Sequence, residues 1–178
     1  MIVSKIFVIQ DIYLYDELTS AKHTWIETSG DTVWSFTNNG LDTKGTSGGC
    51  LLKLDETLPS APYSIELDVT GVTGMQTTYQ GRTYTIYGGI ATRYTIFEPD
   101  NQRTNYYSSS TTNYNSNVLL HTNDKIKAIV ESNKVTYYIN DVLVGTVNNA
   151  SQLYNGELFI RNIGTSGIVL KNLKVREL

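Results

Sequence analysis

A single cysteine, Cys50, is all the sulfur chemistry beyond two methionines that this 178-residue sequence holds. One cysteine excludes an intramolecular disulfide framework and any multi-cysteine zinc site, and free cysteine is ordinarily a small buried thiol. His23 and His121 are the only histidines. One falls in a loop-like N-terminal segment and the other at a strand's start, with no second ligand at metal spacing and no nucleophile motif around a Ser or Cys. Asp11, Asp16, Asp42 and Asp100 are candidates for calcium, but no dense acidic loop gathers them. No metal, cofactor or catalytic residue is therefore expected. Charged residues make up 17%, with net charge −3 and a pI near 5.3. That balance argues against nucleic acid, whose phosphates need clustered Lys and Arg. No apolar run approaches the about 20 residues of a membrane span, so no membrane insertion is expected. Helical periodicity, internal repeats and linkers are missing as well, which leaves one domain over residues 1–178.

What is present is alternation. In Asn123–Val147, Ile126, Ala128 and Val130 alternate with Lys127, Ile129 and Glu131 before Ser132-Asn133 interrupts. Val135, Tyr137 and Ile139 alternate with Thr136 and Tyr138 before Asn140-Asp141 interrupts again. Apolar residues at every second position put one row on a core and the other toward water. Asn and Asp tolerate left-handed backbone angles, so the breaks suit tight turns. The segment reads as a three-stranded antiparallel meander.

The rest of the chain reads the same way. Ile6–Tyr15 is taken as the first strand, not a signal peptide, because its apolar core is short and no small-residue cleavage site follows. A protein of this kind working outside a cell would then leave by another route, as a virion component does at lysis. Gly45–Leu54 reads as a glycine-rich turn entering a strand; no Lys-Ser or Lys-Thr pair follows, so phosphate binding is rejected. Leu58–Pro62 is a loop set by two prolines. Tyr63–Thr70 is the cleanest strand, with Ile65, Leu67 and Val69 facing one way and Ser64, Glu66, Asp68 and Thr70 the other. Arg82–Glu98 is one long strand kinked at Gly88-Gly89, or two. Its even positions, Ile86, Ile90, Tyr94 and Ile96, are expected to face the core. Pro99–Asn117 is a long polar loop with a short strand around Tyr106-Tyr107, and Asn148–Asn155 a polar loop. Glu157–Asn162 and Ile168–Leu178 are the closing strands.

Three landmarks carry a family resemblance. The meander contains Tyr138-Ile139-Asn140-Asp141-Val142-Leu143-Val144, similar to a Y-x-N-G-x-x-V phrase with Asp141 in place of Gly. Asp16, Trp25, Gly30, Trp34 and Asn39-Gly40-Leu41 follow the order of a common opening, in which Asn-Gly makes a hairpin turn. The ending GIVLKNLKVREL resembles a last strand. Together they resemble the concanavalin A-like lectin and glucanase superfamily, including laminin-G-like domains. The resemblance implies an all-β, two-sheet antiparallel sandwich of the jelly-roll kind, with the concave face and its bordering loops as ligand surface. Trp25 and Trp34 are expected to pack at the sandwich edge.

Laminarinase-like members of that superfamily carry E-x-D-x-E on one strand, since only i, i+2 and i+4 share a face. Retaining hydrolysis wants two carboxyl groups about 5–5.5 Å apart. Glu66 and Asp68 match the first two positions, but Thr70 stands at the third and cannot protonate a leaving oxygen. A non-catalytic member is expected. Aromatic surface remains: seven of thirteen tyrosines lie between Gln76 and Asn117. Sugars stack on tyrosine rings, which give rigid amphipathic area at low entropic cost. Tyr84 and Tyr94 read as core. Tyr87, Tyr106 and Tyr107 read either as ligand contacts or as plain exposed residues, with Arg93, Arg103, Asn105 and Asn113 supplying donors nearby. By parity, Glu66, Asp68, Tyr87 and Arg93 fall on the polar rows of their strands; the sheet order that the resemblance implies makes those strands neighbours, with Tyr106 and Tyr107 lying over them from the loop.

The expected role is a non-catalytic recognition module binding carbohydrate or a cell-surface glycan. Composition suits an extracellular or virion setting: a phage or virus tail, baseplate or capsid surface, or a cell-surface adhesin. The alternative is a structural virion decoration or assembly protein that packs against other virion subunits without a small ligand. A residual laminarinase-like glycosidase is the third reading.

Overall fold

The computed structural model describes the backbone of residues 11–32, 34–42, 45–73, 75–79, 82–86, 89–92, 95–99, 104–108, 113–148, 158–163 and 167–178. Side chains are described for 11–27, 34–42, 52–72, 117–148, 158, 160 and 168–178. The strands in chain order begin with β1 (Ile12–Asp16), β2 (Trp25–Thr32), β3 (Ser35–Thr37), β4 (Gly40–Asp42), β5 (Gly45–Leu54) and β6 (Tyr63–Thr73). Next come β7 (Met75–Tyr79), β8 (Arg82–Ile86), β9 (Gly89–Thr92), β10 (Thr95–Pro99), β11 (Thr104–Ser108) and β12 (Asn113–Ser116). The chain closes with β13 (Lys125–Glu131), β14 (Lys134–Ile139), β15 (Val142–Asn148), β16 (Phe159–Ile163) and β17 (Gly167–Glu177). No helix occurs among the described residues.

One sheet runs β15-β14-β13-β6-β17-β4-β3, with β1 on the remaining length of β17. The other runs β12-β11-β10-β9-β16-β5-β2, and β7 and β8 form a separate hairpin. Every pairing is antiparallel. The first sheet sends Ile65, Leu67, Val69, Ile126, Val130, Val135, Tyr137, Leu170 and Val175 into a common core, and the second sends Trp25, Leu52, Leu54, Leu158 and Ile160. Each such aliphatic residue contributes about 1.5–3 kcal/mol when fully buried. The fold is an all-β sandwich of two antiparallel sheets.

The meander forms as its alternation demands: Ile126, Ala128, Val130, Val135, Tyr137 and Ile139 are all buried. Asn140 (φ 49°) and Asp141 (φ 61°) both take left-handed angles, the requirement of a type I′ turn. Aspartate meets that requirement where glycine would be usual. Two bulges then shift the alternation. In β15 the register slips opposite Tyr137 and Tyr138, which lets Val144 and Val147, three apart, both face the core. In β17 it slips between Lys171 and Lys174, with Asn172 at φ 54°.

Several expectations are corrected. Gly45–Leu54 is strand throughout, without the initial turn. Residues 82–99 make three strands, not one or two, and the long loop at 99–117 contains β11 and β12. The first hairpin turns at Asn38-Asn39, with Gly40 as the first residue of β4. Gly40 has φ 122°, and a Cβ there would collide with the Leu170 carbonyl oxygen. Ser64 and Thr136, on outward rows, are buried. Thr136 shares a side-chain hydrogen bond with Thr146 across β14 and β15. Trp25 is buried and Trp34 packs edge-on against Phe36 at 6.0 Å, as expected of packing residues. Ile6–Gln10, the Cys50 side chain, the facing of Ile86, Ile90, Tyr94 and Ile96, and the 149–155 loop lie outside the described residues and side chains.

Candidate recognition surface

The outward side of the first sheet is a ladder of alternating charge. Residues directly opposite one another on neighbouring strands share a face, so register defines rows. One row reads Tyr138, Lys127, Glu66, Lys174 and Tyr15, from β14 through β13, β6 and β17 to β1. The next places Asp68 between Lys125 and Lys171. Lys127 Nζ lies 3.3 Å from Glu66 Oε1, and Lys125 Nζ 3.8 Å from Asp68 Oδ1. The bulge in β17 turns Asn172 outward, where its Nδ2 donates to Asp68 Oδ2 at 2.7 Å. The Tyr15 hydroxyl donates in turn to Asn172 Oδ1 at 3.1 Å. Lys22 and Lys174 bring their ammonium groups to 6.0 and 5.9 Å from the Tyr15 ring centroid.

Thr70, the position at which the hydrolase pattern would need a carboxylic acid, is occupied structurally. Its hydroxyl reaches the Asn39 carbonyl at 2.5 Å and the Val169 carbonyl at 3.4 Å, tying the β3–β4 hairpin to β6. Glu66 and Asp68 each stand between lysines from both flanking strands.

The second sheet carries the other candidates. Its register runs Tyr114, Tyr106, Phe97, Ile90, Ile160, Leu52 across β12 to β5, and Ile160 and Leu52 are buried. The alternate row runs Asn113, Tyr107, Ile96, Ala91, Phe159, Lys53, Ile26, and Ile26 is exposed. Beside it in the same parity, Asn115 pairs with Asn105 and Asn105 with Glu98. Tyr106 thus shares a register row with buried Ile160 and Leu52, and Tyr107 stands on the alternate row.

The predicted grouping of Glu66 and Asp68 with Tyr106 and Tyr107 is not formed. β6 is flanked by β13 and β17, whereas β11 lies in the other sheet. Alternation reports which side of its own strand a residue takes; it carries no information about which sheet the strand joins. Tyr87, Arg93 and Arg103 lie outside the described residues. Asp16 is buried, and its Oδ1 accepts the Leu18 N–H at 2.8 Å, holding Leu18 at φ 60°. His23 meets Glu56 through Nδ1 and faces Asp16 Oδ2 at 4.0 Å through Nε2. His121 and Asn140 both bond Asp124 at the β13 entry. Asn172 and Tyr15 were missed as outer-face residues. The sequence signal was the spacing Leu170, Leu173, Val175, three then two, which betrays a bulge within a strand.

No protein-family model and no curated sequence matches the chain. Solved structures do. A carbohydrate-binding module of the CBM66 type from Bacillus subtilis superposes with TM-score 0.57 at 15% identity, covering 88% of this chain and 98% of the other. A Bacillus subtilis protein of unknown function with a galectin-like fold gives 0.60 at 12% identity over 94% and 97%. An endo-β-1,3-glucanase from Pyrococcus furiosus gives 0.61 at 8% identity over 94% of both chains. The fold is a jelly-roll β-sandwich of the kind these structures share. It is shared by binding modules and by glycoside hydrolases, so the fold alone does not choose between the two activities.

Proposed function

We propose that this concanavalin A-like domain is a non-catalytic recognition module that binds a glycan on the outward rows of its second sheet. The observation that carries the reading is the register of β10, β11 and β12. It sets Tyr107 and Asn113 in one row and Glu98, Asn105 and Asn115 in the next, on the parity opposite to buried Ile160 and Leu52. A ring for stacking beside amide and carboxylate groups for hydroxyls is the chemistry that recognises sugars. Similarity to a carbohydrate-binding module and a galectin-like fold supports the same reading. Thr70 at the third carboxylate position supports the absence of hydrolysis. The setting that suits this composition is the surface of a virus particle or a cell. In that setting, packing of Tyr107 against a neighbouring subunit would replace glycan contact.

A glycan array on the isolated domain tests the proposal. Binding to one glycan class, reduced at least tenfold by Tyr107→Ala with an unchanged melting temperature, is the expected result. A parent domain that binds no glycan but loses particle assembly on Tyr107→Ala would support the assembly reading instead.

A further inference from the structure

We propose a second, separate binding surface on the outward face of the first sheet, one that takes an acidic polysaccharide bearing carboxylates along its chain. Charge segregation is the starting point. Lys125, Lys127 and Lys134 on β13 and β14, Lys171, Lys174 and Arg176 on β17, and Lys22 beside Tyr15 supply seven of the chain's fourteen Lys and Arg. The same face holds four acids, Glu66, Asp68, Glu131 and Asp42 on β4, of the seventeen. The face therefore carries a surplus of three positive charges, and the remaining seven cations and thirteen acids leave the rest of the chain at −6. Counting Asp141, which reaches Lys127 at 4.0 Å from the turn, the face is still at +2. A protein of net charge −3 thus concentrates its positive charge on one sheet face.

Stability accounts for little of the arrangement outside the central Lys127–Glu66 pair, whose side chains are 27% and 19% accessible. The outer ion pairs are partly exposed: the side chains of Lys125 and Asp68 are 48% and 35% accessible, and those of Lys134 and Glu131 are 40% and 39%. Pairs this wet contribute about 0–1 kcal/mol. Geometry points to a ligand with discrete, spaced charges. Lys125 and Lys127 stand two residues apart on one strand, about 6.7 Å, and Lys127 and Lys174 two strands apart, about 9.6 Å. At the edge, Lys22 and Lys174 converge on the Tyr15 ring. A uronic-acid residue lying on that ring would find two ammonium groups for its carboxylate. Glu66, Asp68 and Asn172, set among the lysines, accept from and donate to hydroxyls. The same interleaved carboxylates oppose a continuous phosphate rail, which disfavours nucleic acid.

The surface lies on the opposite sheet from the glycan rows of β10–β12, so the two readings fail independently. The test is retention of the intact domain on immobilised polygalacturonate at low ionic strength, with heparin, duplex DNA and neutral laminarin as competitors. The expected result is retention that weakens with salt, falls at least tenfold in Lys22→Ala with Lys174→Ala, and is unchanged in Lys53→Ala on the other sheet. Tyr15→Ala is expected to weaken retention while keeping the salt dependence, because the charges remain. Heparin displacing the domain more effectively than soluble polygalacturonate would assign the carboxylate preference to sulfate and overturn the ligand class. Displacement by duplex DNA at lower concentration than by polygalacturonate would do so in favour of nucleic acid. Absence of parent retention, or equal retention by the double variant, would remove the surface altogether. Array binding by the double variant at the parent level would show that the glycan rows are intact throughout.

Discussion

The Thr70 hydroxyl donates to the Asn39 carbonyl at 2.5 Å, and that bond ties the β3–β4 hairpin to β6. The purified domain is predicted not to release reducing ends from β-glucans. Release that disappears on Glu66→Gln would contradict this. Thr70→Glu is predicted to lower stability by about 1–3 kcal/mol, through the loss of the hairpin tie, without producing activity.

The meander is predicted to resist substitution unequally along its inward row. Tyr137→Ala and Ile139→Ala each empty a buried site and are predicted to cost about 2–5 kcal/mol in denaturant unfolding. Thr136→Ala is predicted to cost about 0.5–1.5 kcal/mol, because it breaks the bond to Thr146. An unmeasurable cost at Thr136 would mean that the hydroxyl pair is broken in solution.

Gly40→Ala is predicted to destabilise by more than about 1–3 kcal/mol. That range covers the positive φ alone, and the collision with the Leu170 carbonyl adds to it. Thermal melts of Gly40→Ala and of the exposed control Asn39→Ala separate the two. Equal melting temperatures would refute the close approach of β4 and β17.

Asp16→Ala is predicted to release the Leu18 turn and cost about 1–3 kcal/mol, whereas Asp16→Asn keeps an acceptor for the Leu18 N–H and retains most of the stability. Parity of the two variants would assign the burial of Asp16 to something other than that turn.

Much of the fold was legible because it rests on period-two alternation. Ile65, Leu67 and Val69, and the meander's six inward residues, are where alternation puts them. Asn140-Asp141 turns as its side chains allow. Alternation failed where backbone irregularity intervenes, since a bulge resets parity: Asn172 and Val144 could not be placed by counting. Polar character failed at Ser64 and Thr136, which are buried although they stand on outward rows. Gly45–Gly49 read as a turn because glycine is common there, yet pairing with β2 and β16 holds it extended. The site was less legible than the fold. Glu66 and Tyr107 share parity within their own strands, but sheet membership is decided by long-range pairing, to which local pattern is blind. Tyr106 and Tyr107, adjacent and chemically identical, are separated by the register that links β11 through β10 and β9 to buried Ile160.

The most direct test of the recognition surface is a chemical-shift titration of the isotope-labelled domain with the glycan selected by the array. The account predicts that the largest amide shifts fall on Thr95–Pro99, Thr104–Ser108 and Asn113–Ser116, while Glu66 and Asp68 stay unmoved. Shifts centred on β6 and β13, with β10–β12 unmoved, would contradict it.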